Sequence, residues 1–308
     1  MQISRYFPEE PAETQREAIG LIGIGLVGTA LAENLLTAGY DVVGFALSPA
    51  SQARLTRLGG RVVSGPAEVA GEATRVILSL PDSDVVEQVV GGSGGLLAAA
   101  GGLRLILDTT TGEPERTESL AARCAACGVA FVDAPISGSS EQIRRRQGVV
   151  LVGGERTAYE ACLDLIRSVA EHHYYLGGPG AGARAKLASN LILGLNRLAL
   201  AEGLVFAERL GLDLPAFLAM LKTTPAYSCA MDVKGEKMLR GDFAPQSKAA
   251  QHHKDLRIIL NCAAEAGQEL PLAALHKDIL ELAMASGEGE RDTSIVLQVL
   301  RRMRRGPA

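Results

Sequence analysis

Tryptophan is absent from the sequence, and phenylalanine and tyrosine bring the aromatic share to only 4%. A core without many large rings has to be filled by Ala, Leu and Val, with Gly where backbones approach closely, as in tightly packed α/β proteins. Cysteine is scarce too: five residues, an odd number, with no framework spacing. That argues against a disulfide-stapled secreted domain and for a reducing, cytoplasmic setting. Cys124 and Cys127 form a C-x-x-C inside an expected helix without a second ligand pair, so neither metal nor redox chemistry is expected there. His172-His173 and His252-His253 are adjacent pairs, not the i, i+4 pairs that hold a metal on one helical face, and read as structural or exposed. Basic residues are not in excess; the net charge is −4, which points away from nucleic acid. Arg144-Arg145-Arg146 and the ending Arg301, Arg302, Arg304, Arg305 read as solvated faces, although one of the first three could screen an anionic substrate. Residues 1–17 are polar and acidic, lack the apolar stretch of a signal peptide, and are expected to form a flexible extension. The single long apolar run follows Lys186 and is interrupted by Asn190, Asn196, Arg197 and Glu202; it reads as a buried helix and not a membrane span.

What is present is a chain of 308 residues, 47% apolar, long enough for two domains. Short Val/Ile/Leu-rich runs predict strands over 18–23, 41–46, 61–63, 75–80, 103–108 and 129–133, with edge strands over 149–152 and 174–176. Helices are predicted between them over 27–38, 82–90, 113–127 and 155–169. Strand and helix in alternation imply parallel strands joined by crossovers. After Gly177-Gly178-Pro179-Gly180 no strand reads convincingly, and helices are predicted over 183–210, 214–221, 246–266, 271–286 and 293–305. The expected fold is therefore a Rossmann-type, doubly wound parallel sheet over 18–180, followed by an all-helical domain over 181–308.

Gly23-Ile24-Gly25-Leu26-Val27-Gly28 follows a hydrophobic strand and opens a Leu/Ala-rich helix. Such glycines permit the tight turn, close backbone approach to a pyrophosphate, and close helix–strand packing. The free N–H groups at the helix start, from Leu26 and Val27 on, then attract the anion. About twenty residues on, where a carboxylate would grip a ribose 2′-hydroxyl, stands Phe45-Ala46-Leu47-Ser48. Nothing there repels a 2′-phosphate, Ser48 or Arg54 is placed to touch one, and the usual arginine is missing; the expectation is NAD(P)(H), tipped slightly toward NADP(H).

Lys186, Asn190 and Arg197 fall on one face of the long helix. Burial favours the neutral form of a lysine, which suits it to proton exchange near neutral pH. A wet seam between two domains would show the same stripe, and the helix alone leaves both readings open. Ser137-Gly138-Ser139 offers hydroxyls and backbone N–H groups suited to a substrate carboxylate, or is an ordinary loop.

Together these segments resemble the β-hydroxyacid dehydrogenase family, which includes 3-hydroxyisobutyrate dehydrogenases and tartronate semialdehyde reductases, over nearly the whole chain from residue 18. Leu80-Pro81-Asp82-Ser83 resembles the Leu-Pro turn beside the nicotinamide half of the cofactor, and Asp108-Thr109-Thr110-Thr111 resembles a segment that implies Thr111 near the cofactor. Asp133-Ala134-Pro135-Ile136-Ser137-Gly138 is similar to the substrate-loop motif. Lys186-Leu187-Ala188-Ser189-Asn190 stands where the family carries its catalytic lysine and an asparagine one turn later, and Lys254-Asp255 resembles a Lys-Asp pair whose lysine approaches the site. Ser139 in place of a second glycine, Ser189 in place of an asparagine, and Gln251-His252-His253 depart from the family pattern and bear on the substrate, not on the reaction class. The resemblance implies a cytoplasmic, dimeric or tetrameric NAD(P)-dependent oxidoreductase of a small 3-hydroxy acid or semialdehyde acid, with Lys186 as acid/base. The alternatives are an imine reductase, in which aspartate or tyrosine usually stands at the lysine position, and a cofactor-binding scaffold without turnover.

Overall fold

The structure, a computed structural model, describes residues 16–99 and 101–303; most of the expected flexible extension and the last two arginines of the basic ending lie outside them. Glu17, within that extension, holds the Arg75 guanidinium through both carboxylate oxygens, at 2.8 and 2.5 Å.

Among the described residues the strands are β1 (Ala18–Ile22), β2 (Asp41–Phe45), β3 (Arg61–Val62), β4 (Arg75–Leu78), β5 (Leu105–Asp108), β6 (Ala130–Asp133), β7 (Ile136–Ser137), β8 (Val149–Gly153) and β9 (His172–Gly177). They form one sheet in the order β3-β2-β1-β4-β5-β6-β8-β7, with β9 paired to β8. From β3 to β6 every pairing is parallel; β8 runs antiparallel to β6 and β7 and parallel to β9. The sheet is thus parallel throughout only from β3 to β6: the link 134–135 into β7 is too short for a helical crossover, and β8 returns antiparallel to both β6 and β7.

Helices α1 (Leu26–Thr37), α2 (Pro49–Leu58), α3 (Pro66–Glu72), α4 (Ser83–Gly91), α5 (Pro114–Ala126), α6 (Ser140–Arg144), α7 (Arg156–Ala161) and α8 (Leu163–Val169) link these strands. Alternate strand residues face opposite cores: Ile19, Leu21 and Ile77 pack with Leu31 and Leu35 of α1 and Ile166 of α8. Ile22, Val76, Leu78 and Ile106 pack with Val69 of α3, Val86 of α4 and Leu120 of α5. Period-two side chains with apolar residues at both parities are what a sheet covered on both faces requires. One helix is expected over 155–169; it is instead broken at Cys162, whose φ of −119° leaves the helical range.

Beyond residue 180 the regular elements are helical: α9 (Ala181–Arg209), α10 (Leu214–Leu221), α11 (Glu236–Arg240), α12 (Ala249–Glu265), α13 (Pro271–Ala285) and α14 (Val296–Arg302). A π-helical turn, Met231–Gly235, precedes α11. Leu198, Ala201 and Leu204 of α9 form a second core with Leu256 and Ile259 of α12, Leu280 of α13 and Val296 of α14. By length and composition α9 could cross a membrane, yet it carries buried Lys186, Asn190 and Arg197.

The first turn of α9 is pinned to the sheet. Asp133, at the end of β6, accepts hydrogen bonds from Gly180 N–H at 2.9 Å and Ala183 N–H at 2.8 Å. A carboxylate there satisfies donors that have no partner within the helix and complements the positive end of its dipole. Glycine allows the approach: a Cβ on Gly182 would lie 2.4 Å from Leu151 O, and one on Gly153 2.6 Å from Asp133 Oδ1.

Candidate active site

A cleft with a volume of ≈ 980 Å³ runs along the carboxyl ends of β1, β2, β4 and β5 and under the face of α9. It straddles the border of β1 and β4, where the strand order reverses, the place at which open α/β sheets bind ligands.

The three glycines after β1 serve different physical ends. Gly23 has φ +94°, and a Cβ on it would lie 2.2 Å from Ser79 O; a Cβ on Gly28 would lie 1.9 Å from Gly23 O. Both are demanded by the chain itself. Gly25 is not: its backbone is extended and nothing lies within 4 Å of where its Cβ would be. It faces the cleft, at the start of a helix with no side-chain cap and no acidic residue in its first turn. A smooth, electropositive backbone cradle fits a pyrophosphate. Leu26 and Val27 line the cleft beside it.

Leu80, Pro81 and Thr111 line the same cleft. Thr110 Oγ1 accepts the Leu80 N–H at 3.1 Å, so the turns after β4 and β5 brace each other. Lys254 of α12 reaches across and donates to Thr111 O at 2.6 Å and Pro81 O at 3.0 Å, while Gln251 also donates to Pro81 O at 3.0 Å. Ser48 stands apart: it caps α2, accepting the Ser51 N–H at 3.1 Å, and it is Leu47 and Ser51 that line the cleft. Arg54 turns toward α1 and donates to Thr29 Oγ1 at 3.3 Å. Asp108 holds the turn after β5 by accepting the Thr110 N–H at 2.9 Å, and burial pushes its carboxyl up to about 7.

Lys186, Asn190, Ser137, Gly138 and Ser139 meet at the other end. Lys186 is buried and its ammonium donates to Ile136 O at 2.8 Å. Burial drives its pKa down to about 8, with Asp255 opposing and Lys254 reinforcing the fall. Asn190 donates to Asp255 Oδ2 at 3.0 Å, and Lys254 lies 3.0 Å from Asp255 Oδ1. Asp255 is itself pushed upward by burial, against the pull of Lys254 and Lys186. Ser139 and Gln142 form a reciprocal capping box that opens α6. Gly138, at φ +150°, makes the turn before it.

Residues 18–177 match the family described as the NAD binding domain of 6-phosphogluconate dehydrogenase, and residues 180–300 the family described as NAD-binding of NADP-dependent 3-hydroxyisobutyrate dehydrogenase. The chain belongs to the β-hydroxyacid dehydrogenase family. This is a family of NAD(P)-dependent oxidoreductases. The chain is 32% identical to the 2-(hydroxymethyl)glutarate dehydrogenase of Eubacterium barkeri, over 92% of this chain and 95% of that one. It is 30% identical to the 2-hydroxy-3-oxopropionate reductase of Escherichia coli, over 92% and 97%. The structure of a Mycobacterium tuberculosis 3-hydroxyisobutyrate dehydrogenase with L-serine superposes with a TM-score of 0.82 at 26% identity, covering 93% of this chain and 100% of that one.

In this β-hydroxyacid dehydrogenase one cleft-lining residue, His252, escapes the sequence reading. Arg144 pairs with Glu33 and Glu141, Arg145 with Glu141, and Arg146 donates to Arg167 O, so none of the three serves the cleft. His252 is buried, lines the cleft and packs against His276 at a ring-centroid distance of 5.1 Å. Arg197, identified in the polar stripe, lines the cleft as well.

Proposed function

We propose that this chain interconverts a small 3-hydroxy acid and the corresponding semialdehyde acid, with NADP(H) favoured over NAD(H) and Lys186 as the proton-transfer residue. The observation that carries the reading is Lys186 itself: a buried ammonium in the cleft, 2.8 Å from the carbonyl that precedes Ser137, with its pKa lowered to about 8.

The nicotinamide, when bound, supplies or accepts the hydride; the protein has to orient the substrate and move one proton. In oxidation, neutral Lys186 takes the hydroxyl proton on Nζ. In reduction, its ammonium gives that proton to the nascent alkoxide and stabilises the developing charge beforehand. The N–H groups and hydroxyls of Ser137, Gly138 and Ser139 take the substrate carboxylate. Asn190, anchored on Asp255, offers its carbonyl oxygen to the lysine or the substrate hydroxyl without adding charge. Gly23, Gly25, Leu26, Val27 and Gly28 cradle the pyrophosphate, and Leu80, Pro81, Thr111 and Lys254 form the wall beside the nicotinamide half. The preference for NADP(H) rests on Phe45-Ala46-Leu47-Ser48, which places no carboxylate against a 2′-phosphate.

The working division is a nucleotide unit over 18–180 and a helical unit over 181–308, acting in the cytoplasm as a homodimer or homotetramer. Self-association is supported by one stripe along α9 and its C-cap: Ile192, Phe206 and the capping Leu210 are 62%, 65% and 61% exposed and recur on one face.

An absorbance screen of NADPH and NADH oxidation against small semialdehydes, including tartronate and methylmalonate semialdehydes, tests the reading. Turnover that saturates with one of them is the expected result. Stoichiometric NADPH binding with no oxidation across the panel would instead establish a scaffold.

A further inference from the structure

Gln246 lines the cleft with one end of its amide committed and the other unspent. Its Oε1 accepts from the Lys234 ammonium at 3.0 Å, while its Nε2 makes no hydrogen bond with a described residue. The chemistry of the partner fixes which atom is which. An ammonium has only donors, so the amide oxygen must face it and the NH2 must face away.

The anchor of that amide is rigid. Lys234 is buried and lies 2.8 Å from Asp292 Oδ2, whose residue is fully enclosed. The same aspartate accepts the N–H of Gln246 at 2.9 Å and that of Ser294 at 3.1 Å. Burial works to raise the Asp292 carboxyl, but Lys234 and these N–H groups outweigh it and hold it below its ordinary range, so it stays ionised. Along the backbone, Thr293 N–H donates to Ser247 O at 2.9 Å and Ala249 N–H to Arg291 O at 2.8 Å. Gln246 therefore sits on a stretch clipped at several points to residues 291–294. Its NH2 is held in place before any ligand arrives, so little ordering is left to be done on binding.

Short contacts also place Gln246 beside the reacting end of the cleft. Ser140 Oγ lies 3.5 Å from Gln246 O, so the 246–247 stretch abuts the loop that ends at Ser139. Lys186 binds the carbonyl of Ile136, directly before that loop. A 3-hydroxy acid with its carboxylate on the loop and its hydroxyl at Lys186 has both ends of its three-carbon backbone fixed. The side group on C2 is then the part left to meet the neighbouring wall. Lys234, the cation that touches the amide, is already matched by Asp292, so Gln246 offers that group a neutral donor.

We infer that Gln246 is a specificity-determining residue whose NH2 donates to a hydroxyl on C2 of the substrate, and that 2,3-dihydroxy acids and their semialdehydes are preferred to 2-alkyl ones. This rests on the site assignment under Proposed function. A methyl group fills the same space as a hydroxyl but cannot accept, so it strands the donor away from water. A site built to hydrogen-bond a substrate group rejects the analogue that lacks it.

Calorimetric titration of the full-length protein saturated with NADPH tests this with glycerate and 3-hydroxyisobutyrate, each as the racemate. The two acids differ by a hydroxyl in place of a methyl on C2, and the reduced cofactor prevents their oxidation during the titration. Glycerate is expected to bind the parent protein roughly 10- to 100-fold more tightly. Gln246→Met keeps the length of the side chain and removes the amide, and should bring the gap to within a few-fold by weakening glycerate. The backbone clips and the Lys234–Asp292 pair do not depend on the amide, so the variant should fold; Gln246→Leu gives the same comparison if it does not. Equal binding of the two acids, no measurable binding of glycerate, or a gap that survives both substitutions overturns the inference. Turnover with NADP+, measured in parallel, separates the two readings. Oxidation of hydroxy acids without a glycerate preference removes the role of Gln246 and leaves the proposed reaction. A binding preference that depends on Gln246, with neither acid oxidised, removes the reaction and leaves the seat.

Discussion

The ammonium of Lys186 hydrogen-bonds to the carbonyl of Ile136, so the group proposed to move the proton is referenced to the residue directly before the substrate loop. Any displacement of β7 therefore displaces the lysine. Lys186→Met removes the ammonium but keeps the length of the stem. Turnover is expected to fall about a hundredfold to ten-thousandfold, roughly 3–5 kcal/mol of barrier. Cofactor Kd should stay within a few-fold, since the pyrophosphate cradle is at the far end of the cleft. Lys186→Arg should rescue poorly, because guanidinium does not release its proton. Steady-state kinetics and cofactor titration of both variants check this, and near-parental turnover in either one refutes the role.

The two directions of the reaction should respond oppositely to pH. Oxidation needs neutral Lys186 and should rise as pH passes through about 8; reduction needs the ammonium and should fall over the same range. Asp255 holds the lysine pKa up, so Asp255→Asn should move both profiles toward lower pH. Rates in both directions across pH 6–10, for parent and variant, decide it; profiles that move upward in the variant would contradict the assigned coupling.

The glycine turn separates folding from binding. Gly25→Val meets no neighbour and keeps an allowed extended backbone, so the melting temperature should hold while NADPH affinity drops more than tenfold. Gly28→Val drives a side chain into the Gly23 carbonyl and should destabilise the fold by about 1–3 kcal/mol or more. Thermal melts alongside NADPH fluorescence titrations distinguish the two, and an unchanged NADPH affinity in Gly25→Val would place the cofactor elsewhere.

Ile192, Phe206 and the C-cap residue Leu210 form an exposed stripe along α9. Light scattering at micromolar concentration should report at least a dimer, and Phe206→Asp should shift it toward monomer without loss of secondary structure. A monomeric parent protein would rule the stripe out as an interface.

The sequence carries β1, β5 and β6 because each is a short aliphatic run that ends at a glycine or an aspartate, and their ends shift by two residues at most. It carries Lys186, Ser137 and the glycine turn because those motifs are local. Helix α2 goes unread although Ser48-Pro49 is a clear cap-and-first-turn signal; its polar face gives no apolar period. The π-helical turn at Met231–Gly235 breaks the 3.6-residue period that sequence patterns depend on. The contacts of Asp133 with Gly180 and of Asn190 with Asp255 join residues 47 and 65 positions apart, and no local pattern encodes them. Arg197 is visible in the polar stripe, but whether it is paired depends on where Asp255 and Asp292 spend their hydrogen bonds.

Asp133 ends a strand of the sheet yet caps the helix that carries Lys186, and Gly153 and Gly182 let the two come together. The lysine is therefore not portable with the helices that follow residue 180. A chimera that grafts a relative's helical half onto this sheet will seat its own lysine only if the incoming helix begins with a small residue at the position of Gly182 and offers free N–H groups to Asp133. Grafts that ignore that joint should fold as two sound halves with a misaligned reaction centre between them.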